Sequence, residues 1–374
     1  MEQTREFVNP KPGHQRGSWP IMRVLIISLA GIGDTLFATP LIHELRANFP
    51  QAQIDALVLW RGSCDVLEGN PHLGTIYQKN LIRASKPEAL QFLGQLRKQR
   101  YDFSINTHPQ SRIHYRLVAR LISAPVRISH SYDGASVLDR LLVNRTLPQD
   151  YARHSIDNNL ALLTFVQARP ILPRHEYEIF LSGPELKWAE AFIGDRALAG
   201  HELIGIHVGS GGTKNLALRR WPLDSYVQLI RRLNRERPGS TVLLFGGPEE
   251  EKDHEQILSQ VDRRLVLHPK TNSLRQAAAL LQHCGCFLSV DTALMHVAAA
   301  MKVRRQVVIE TPTWNKPIEP YGQTFILVPN PAVAGRNLDF YRYDGRGIQG
   351  TSQEIIRCME SVSVEAVFEA VTGR

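Results

Sequence analysis

Arg23-Val-Leu-Ile-Ile-Ser-Leu-Ala-Gly-Ile-Gly-Asp34-Thr35 is an apolar run that ends in two glycines and an acid, and Ser289-Val-Asp291-Thr292-Ala-Leu-Met-His296 has a similar layout near the other end of the chain. Each reads as a buried strand that runs into the start of a helix. Uninterrupted apolar strands of this kind belong to parallel sheets covered on both faces. In open α/β sheets, ligands bind beyond the carboxyl ends of the strands, so each stretch marks the lip of a crevice. One nucleotide-binding domain needs one lip. Two lips this far apart fit two α/β domains facing one another across a shared cleft, which suits the movement of a group between two substrates.

The composition agrees with two domains. At 374 residues the chain exceeds the size at which one hydrophobic core stops growing, and 43% hydrophobic with 21% charged residues is ordinary for a globular protein. The first twenty residues carry Glu2, Arg5, Glu6, Lys11, His14 and Arg16 without an apolar run, which argues against a secretory signal peptide. No apolar stretch reaches the roughly 20 residues of a spanning helix, and a cytoplasmic protein is expected. Cys64, Cys284, Cys286 and Cys358 form neither a C-x-x-C pair nor a spaced ligand set, and they read as plain buried thiols. The net charge of +8 suits phosphate groups or peripheral contact with an anionic membrane surface. The basic residues are scattered without a nucleic-acid motif, so no nucleic-acid partner is expected.

Strand and helix patterns alternate from Val24 to Ile122, break between Leu147 and Glu178, and resume at Leu203. The break contains one predicted helix over 151–167, followed by Pro170 and Pro173, and serves as the linker. The expected division is a polar tail at 1–20, a first domain at 21–175 and a second at 176–374. The last strands are predicted at Cys286–Val290 and Gln306–Ile309, and a final helix from Ser363, a suitable N-cap with Glu365 in the first turn.

The glycines before Asp34 resemble a dinucleotide fingerprint only in part, because Leu36 stands where the third glycine belongs; a nicotinamide cofactor is disfavoured. Gly33 allows close backbone approach of a ligand. Asp34 falls at a helix N-terminus, where the dipole favours the carboxylate, and such a group at a cleft lip suits acceptance of a hydroxyl proton. Simple helix capping is the alternative. Ser210 and Gly211 lie in a glycine-rich loop whose backbone amides suit a phosphate, and Arg219 or Arg220 suits a diphosphate. Glu249, in a third glycine turn at a strand end, suits sugar hydroxyls. Asp291 and Thr292 open a helix, with His296 four residues after Thr292 on the same face; a cap and a core histidine are the plain alternative. There is no Asp-x-Asp pair to hold a metal against a diphosphate, so helix N-termini and arginine are expected to stabilise the leaving group, with no metal ligands and no cofactor.

Together these motifs resemble the family 9 glycosyltransferases, the ADP-heptose:lipopolysaccharide heptosyltransferases. The resemblance spans about 22–373 and rests on RVLIISLAGIGDTLFATPL at 23–41, Gly69-Asn-Pro71, IHVGSG at 206–211, RWP at 220–222, FGGPEE at 245–250 and SVDTALMH at 289–296. It implies a GT-B fold, two Rossmann-like domains facing across a central cleft with a C-terminal helix packed back on the first. It also implies inverting, metal-independent transfer from an ADP-sugar donor to a lipopolysaccharide core or similar glycan; the basic charge, separately, suits peripheral contact at the inner membrane. By resemblance Asp34 is the general base, Ser210 and Gly211 belong to the phosphate loop, Glu249 is the nucleotide-side carboxylate, and Asp291, Thr292 and His296 form the donor-binding signature. Arg219 stands where the family usually has Lys, Ala293 where it has Gly, and Glu310-Thr-Pro-Thr-Trp-Asn-Lys-Pro317 replaces a shorter turn. The acceptor would lie in the first domain, beside Gly33, His108, Arg112 and Arg116. A nucleotide-sugar epimerase acting on the donor alone, and a catalytically silent sugar-nucleotide or glycolipid binding protein, are the competing readings.

Overall fold

Strand β1 (Arg23–Ser28) lies at the centre of a parallel sheet, and Val24, Leu25, Ile26 and Ile27 have no solvent exposure, as a run covered on both faces requires. The computed structural model describes residues 21–133, 137–212, 214–343 and 345–374; the tail expected at 1–20 falls outside them. The chain runs outward from β1 through β2 (Gln53–Val58) to β3 (Ile76–Gln78). It then returns to the other side of β1 for β4 (Phe103–Asn106), β5 (Val126–Ser131) and β6 (Arg145–Pro148). The spatial order is therefore β3-β2-β1-β4-β5-β6.

The second sheet repeats this path. From β7 (Glu202–His207) the chain goes to β8 (Ser240–Phe245) and β9 (Val266–Leu267), then back beside β7 for β10 (Cys286–Ser289), β11 (Arg305–Ile309) and β12 (Ile326–Val328). Both sheets have the doubly wound Rossmann order, and in each the direction reverses once: between β1 and β4, and between β7 and β10. The two stretches first picked out from the sequence leave β1 and β10, so each lies at a reversal point, where such sheets open a crevice.

Three strands escaped the sequence pattern. β5 carries Ser129, His130 and Ser131, β6 is a mostly exposed edge strand, and β12 is a three-residue edge, so none presents a long apolar run. The helix expected over 151–167 is shorter. It begins at Ser155, where His154 Nδ1 accepts the Ile156 N–H at 3.0 Å, and tightens into a 3-10 turn at Leu162–Val166. The helix Gly183–Asp195 was not anticipated, although Ser182 and Glu185 form the reciprocal cap that announces one.

The final helix, Val364–Thr372, starts at the Ser363 cap but does not return to the first domain. Val367, Phe368 and Val371 fill the core of the second domain with Ile230 and Leu233. A nine-residue helix following directly on Ser352–Glu360 places its only apolar stripe against the nearest uncovered face, that of β10 to β12. A loop crosses to the first domain instead. Tyr343 packs edge-on against His108 with ring centres 5.0 Å apart, Arg342 pairs with Asp133 at 3.7 Å, and Arg112 donates to the Gly345 carbonyl at 3.5 Å.

Two further contacts fix the domains at the cleft's base. Arg275, from the second domain, donates to the carbonyls of Asp65 (2.9 Å), Glu68 (2.8 Å) and Phe180 (2.5 Å) and pairs with Glu185. The short helix Ile32–Leu36 meets the helix Ala293–Ala300 so closely that a Cβ on Gly33 would stand 2.7 Å from His296 Cδ2 and 3.4 Å from Ala293 Cα.

Candidate active site

Beyond β1 the chain turns at Gly31 into the helix Ile32–Leu36, which carries Asp34 on its first turn. Gly31 N–H donates to Asp34 Oδ2 at 2.6 Å, while Oδ1 accepts no hydrogen bond among the described residues. One carboxylate oxygen thus caps the turn, and the other is left without a donor. Burial lifts the Asp34 carboxyl from 3.8 to about 6, against the opposing pull of the Gly31 N–H and the nearby Arg219 guanidinium. The expectation that a helix dipole would favour the carboxylate is thus outweighed: five residues make a weak dipole, and the loss of water dominates. A carboxylate with this pKa is mostly ionised at neutral pH and still basic enough to take a proton.

At the facing reversal point, beyond β10, Asp291 is buried and fully engaged. Its Oδ1 accepts the Thr311 hydroxyl at 2.8 Å, and its Oδ2 accepts the Thr313 hydroxyl at 2.5 Å and Arg219 Nη1 at 2.8 Å. Thr313 Oγ1 also accepts from Arg219 Nη1 at 2.8 Å. Asp291 therefore has its hydrogen-bonding capacity taken up by Thr311, Thr313 and Arg219, and the Arg219 Nε has no partner among the described residues. The arginine is clamped on one edge and sits close enough to influence Asp34 across the cleft. Thr311 and Thr313 were read only as part of an unusual turn, because nothing in their spacing ties them to Asp291.

Thr292 caps its helix by accepting the Met295 N–H at 3.4 Å. His296, four residues on, is buried among Phe37 and Tyr177, with Nδ1 3.2 Å from the Tyr177 hydroxyl. Burial, with His154 and Arg219 nearby, pushes it down to about 3, so it is neutral in the interdomain seam. Gly33 belongs to the same seam, its missing side chain being what lets the two helices meet.

The glycine-rich loop after β7 is held from below. Ser210 Oγ donates to the Leu216 carbonyl at 2.9 Å, and Arg220 binds Asp253 (2.9 Å), Glu250 (3.3 Å) and the Ser210 carbonyl (3.4 Å). Gly211 and Gly212 are left exposed on top. Of the three glutamates at 249–251, after β8, Glu250 is buried and accepts the Gly247 N–H at 2.9 Å, whereas Glu249 is exposed and faces Gly212. Arg219 thus points toward the cleft and Arg220 braces the loop, a difference that adjacent arginines in a sequence do not reveal.

On the first-domain side, His108 is fully buried, its backbone N–H donating to Asn159 Oδ1 at 2.7 Å and its Nδ1 3.0 Å from the Tyr132 hydroxyl. Burial holds its pKa well below the usual value, with His130 and His154 adding to the effect. Arg116 is also buried, binding Asp139 (2.8 Å) and the carbonyls of Ser111 (2.9 Å) and His130 (3.1 Å). Of the three residues expected to meet acidic groups, Arg112 alone is exposed. Tyr115, Tyr132 and Tyr343 all lie near enough to feel the Asp34 charge, and the Tyr343 hydroxyl is buried without a partner among the described residues. Tyr343 comes from the crossing loop, which no motif announced.

His43, His72 and Glu178 form the one metal-like cluster among the described residues. The two imidazoles stack with centres 3.9 Å apart and planes 15° from parallel, so their in-plane lone pairs do not converge on one ion. His43 Nδ1 lies 2.7 Å from Glu178 Oε1, which accounts for the cluster as a hydrogen-bonded pair capped by a second ring.

Residues 89–337 match the sequence profile of glycosyltransferase family 9 (heptosyltransferase). Lipopolysaccharide heptosyltransferase 3 of Escherichia coli is 25% identical over 280 residues, covering 72% of this chain and 78% of the relative. The glycosyltransferase family 9 structure from Veillonella parvula superposes with a TM-score of 0.73 at 20% identity, covering 94% of this chain and 96% of that one. The E. coli heptosyltransferase WaaC with ADP gives 0.66 at 19% identity, covering 94% and 97%. The fold is GT-B, with the two reversal points facing across its cleft. With the profile matching most of its length, the chain belongs to glycosyltransferase family 9.

Proposed function

We propose that this enzyme transfers a heptose from an ADP-sugar to the lipopolysaccharide core, with Asp34 as general base and inversion at the transferred carbon. The observation that carries the reading is the pairing across the cleft: a carboxylate lifted to about 6 on the first domain, opposite a clamped arginine on the second. The acceptor hydroxyl approaches Asp34 Oδ1, which takes its proton as the oxygen attacks the anomeric carbon. The bond from that carbon to the diphosphate breaks on the opposite face, which inverts the configuration. Arg219 and the backbone N–H groups at Gly211 and Gly212 receive the charge that develops on the leaving ADP. This supply of positive charge supports a reaction that needs no metal.

The donor assignment draws on the E. coli relative described with ADP, and the acceptor assignment on the lipopolysaccharide heptosyltransferase. Glu249, opposite Gly212 at the cleft lip, is assigned to the nucleotide sugar's hydroxyls, and Arg112 to acidic groups of the acceptor. Closure of the domains over the donor keeps water from the anomeric carbon.

The test is incubation with ADP-heptose and a heptose-deficient core acceptor, with and without EDTA, monitored by ADP release and acceptor mass. Equal ADP and glycosylated acceptor, insensitive to EDTA and lost in Asp34→Asn, supports the proposal. Donor conversion without acceptor, or binding without turnover in any combination, overturns it.

A further inference from the structure

The helix Ile113–Ile122 turns Arg116, Ala119 and Ile122 inward, while Ile113 and Leu117, one turn apart, face solvent. Beside it, the helix Val137–Leu142 buries no residue, and Val137, Leu138 and Leu141 all point outward. These five large apolar side chains are between 40% and 76% exposed, on two adjoining helices held together by the Arg116–Asp139 ion pair at 2.8 Å. A single exposed leucine needs no explanation, but five on one pair of helices form a patch of the kind that marks an interaction surface.

The charge on the same elements says what covers it. Arg112, Arg120 and Arg140 are exposed around the patch, and Asp139, the one acid on these two helices, is occupied by Arg116. Apolar side chains ringed by cations fit the headgroup and acyl boundary of an anionic bilayer. Among the described residues no helix is long and apolar enough to cross a membrane, so contact through this patch would be interfacial. The patch also adjoins the cleft. Arg112 begins the helix Ile113–Ile122 and reaches the crossing loop at Gly345, and Tyr115 on that helix lies near Asp34.

We infer that the outer face of the helices Ile113–Ile122 and Val137–Leu142 docks on an anionic membrane surface and presents the cleft to a lipid-anchored acceptor. The acceptor half of this statement rests on the proposed transferase reading; the docking half does not. Leu138, Leu141 and Leu117 enter the acyl boundary, and Arg120 and Arg140 meet lipid phosphates. Membrane attachment then confines the enzyme to the surface that holds its acceptor, while the second domain stays free to exchange the nucleotide donor.

The experiment is co-sedimentation of the full, untagged chain with phosphatidylethanolamine vesicles containing phosphatidylglycerol, and with phosphatidylcholine vesicles. The wild type should bind the anionic vesicles and weaken as salt rises. Leu138→Ser/Leu141→Ser should lower the partition coefficient at least about tenfold, and Arg120→Gln/Arg140→Gln by about fivefold per charge removed. Both variants should keep the wild-type melting temperature and the wild-type rate on a lipid-free core oligosaccharide, while losing rate on vesicle-embedded acceptor. No vesicle binding, or binding that ignores both double substitutions, overturns the docking inference whatever the transferase assay shows. A concentration-dependent dimer dispersed by Leu138→Ser/Leu141→Ser also overturns it, assigning the patch to a second copy of the chain. Intact docking with no transfer to any acceptor would instead count against the proposed function.

Discussion

Replacing Asp291 with Asn tests whether the second-domain site works through Arg219. The Asp291–Arg219 pair is 2.8 Å apart and almost wholly buried, so at an effective dielectric of 20 its gross attraction is about 6 kcal/mol. Much of that offsets desolvation, and removing one partner of such a pair typically costs about 3–5 kcal/mol. Asn keeps the shape and one acceptor oxygen, which holds one threonine hydroxyl. With the amide in the place of Oδ2 it faces Arg219 Nη1, donor against donor; with the amide in the place of Oδ1 the Thr311 hydroxyl must turn to accept and gives up its present bond. The expected loss is about 3 kcal/mol of unfolding free energy in urea, with the donor KM rising more than kcat falls. A second readout follows from charge: with Asp291 neutral, Arg219 acts on Asp34 with less compensation, and the acid limb of the kcat/KM profile moves below about 6. Arg219→Met should move it the other way. If Asp291→Asn leaves stability within about 0.5 kcal/mol and the limb unmoved, the clamp as described is wrong.

The remaining predictions concern pH, the seam and the Arg275 contacts between the domains. If Asp34 must be ionised, kcat/KM should rise with pH through about 6 and level off above it. For stability, the folded pKa is raised, so the folded state holds a proton the unfolded state has lost between 3.8 and about 6, and the cost of the buried carboxylate is fully present above that range. Asp34→Asn should therefore melt higher than wild type at pH 7 but not at pH 3, as calorimetry can show. Gly33→Ala puts a methyl 2.7 Å from the His296 ring, which should cost about 1–3 kcal/mol and lower kcat; wild-type values would mean the seam is loose. Arg275→Ala leaves the carbonyls of Asp65, Glu68 and Phe180 without this donor and breaks the ion pair with Glu185, at a cost of about 3–5 kcal/mol in denaturant titration.

The parts of this fold legible in the sequence are those with buried strands and glycine turns. β1 and β10 could be read because an apolar run followed by Gly-Asp or Asp-Thr is a local signal, and their positions at the two reversal points follow from the observed strand order. β5, β6 and β12 had no such signal, being polar or short at the sheet margins. The final helix shows a different gap: Ser363 announced where it starts, but which domain receives Val367 and Phe368 depends on which face is uncovered, and only the fold settles that.

At the site, Asp34 and Arg219 were found as residue types in suggestive places, while their division of labour was not. That Asp291 clamps Arg219, that Arg220 and Glu250 brace the loop, and that His108 and Arg116 are buried supports all depend on long-range contacts. Thr311, Thr313 and Tyr343 belong to the same class. Their partners lie on other elements, so no local spacing marks them.

The most direct test of the central claim is the rate of transfer from ADP-heptose by wild type and Asp34→Asn at pH 7, with ADP affinity measured in parallel. With Asp34 as the general base, kcat should fall by about 10²–10⁴ while ADP binds as before, because the asparagine retains the Gly31 contact and loses only the proton acceptor. An Asp34→Asn enzyme within tenfold of wild type would contradict the account and leave Asp34 a helix cap.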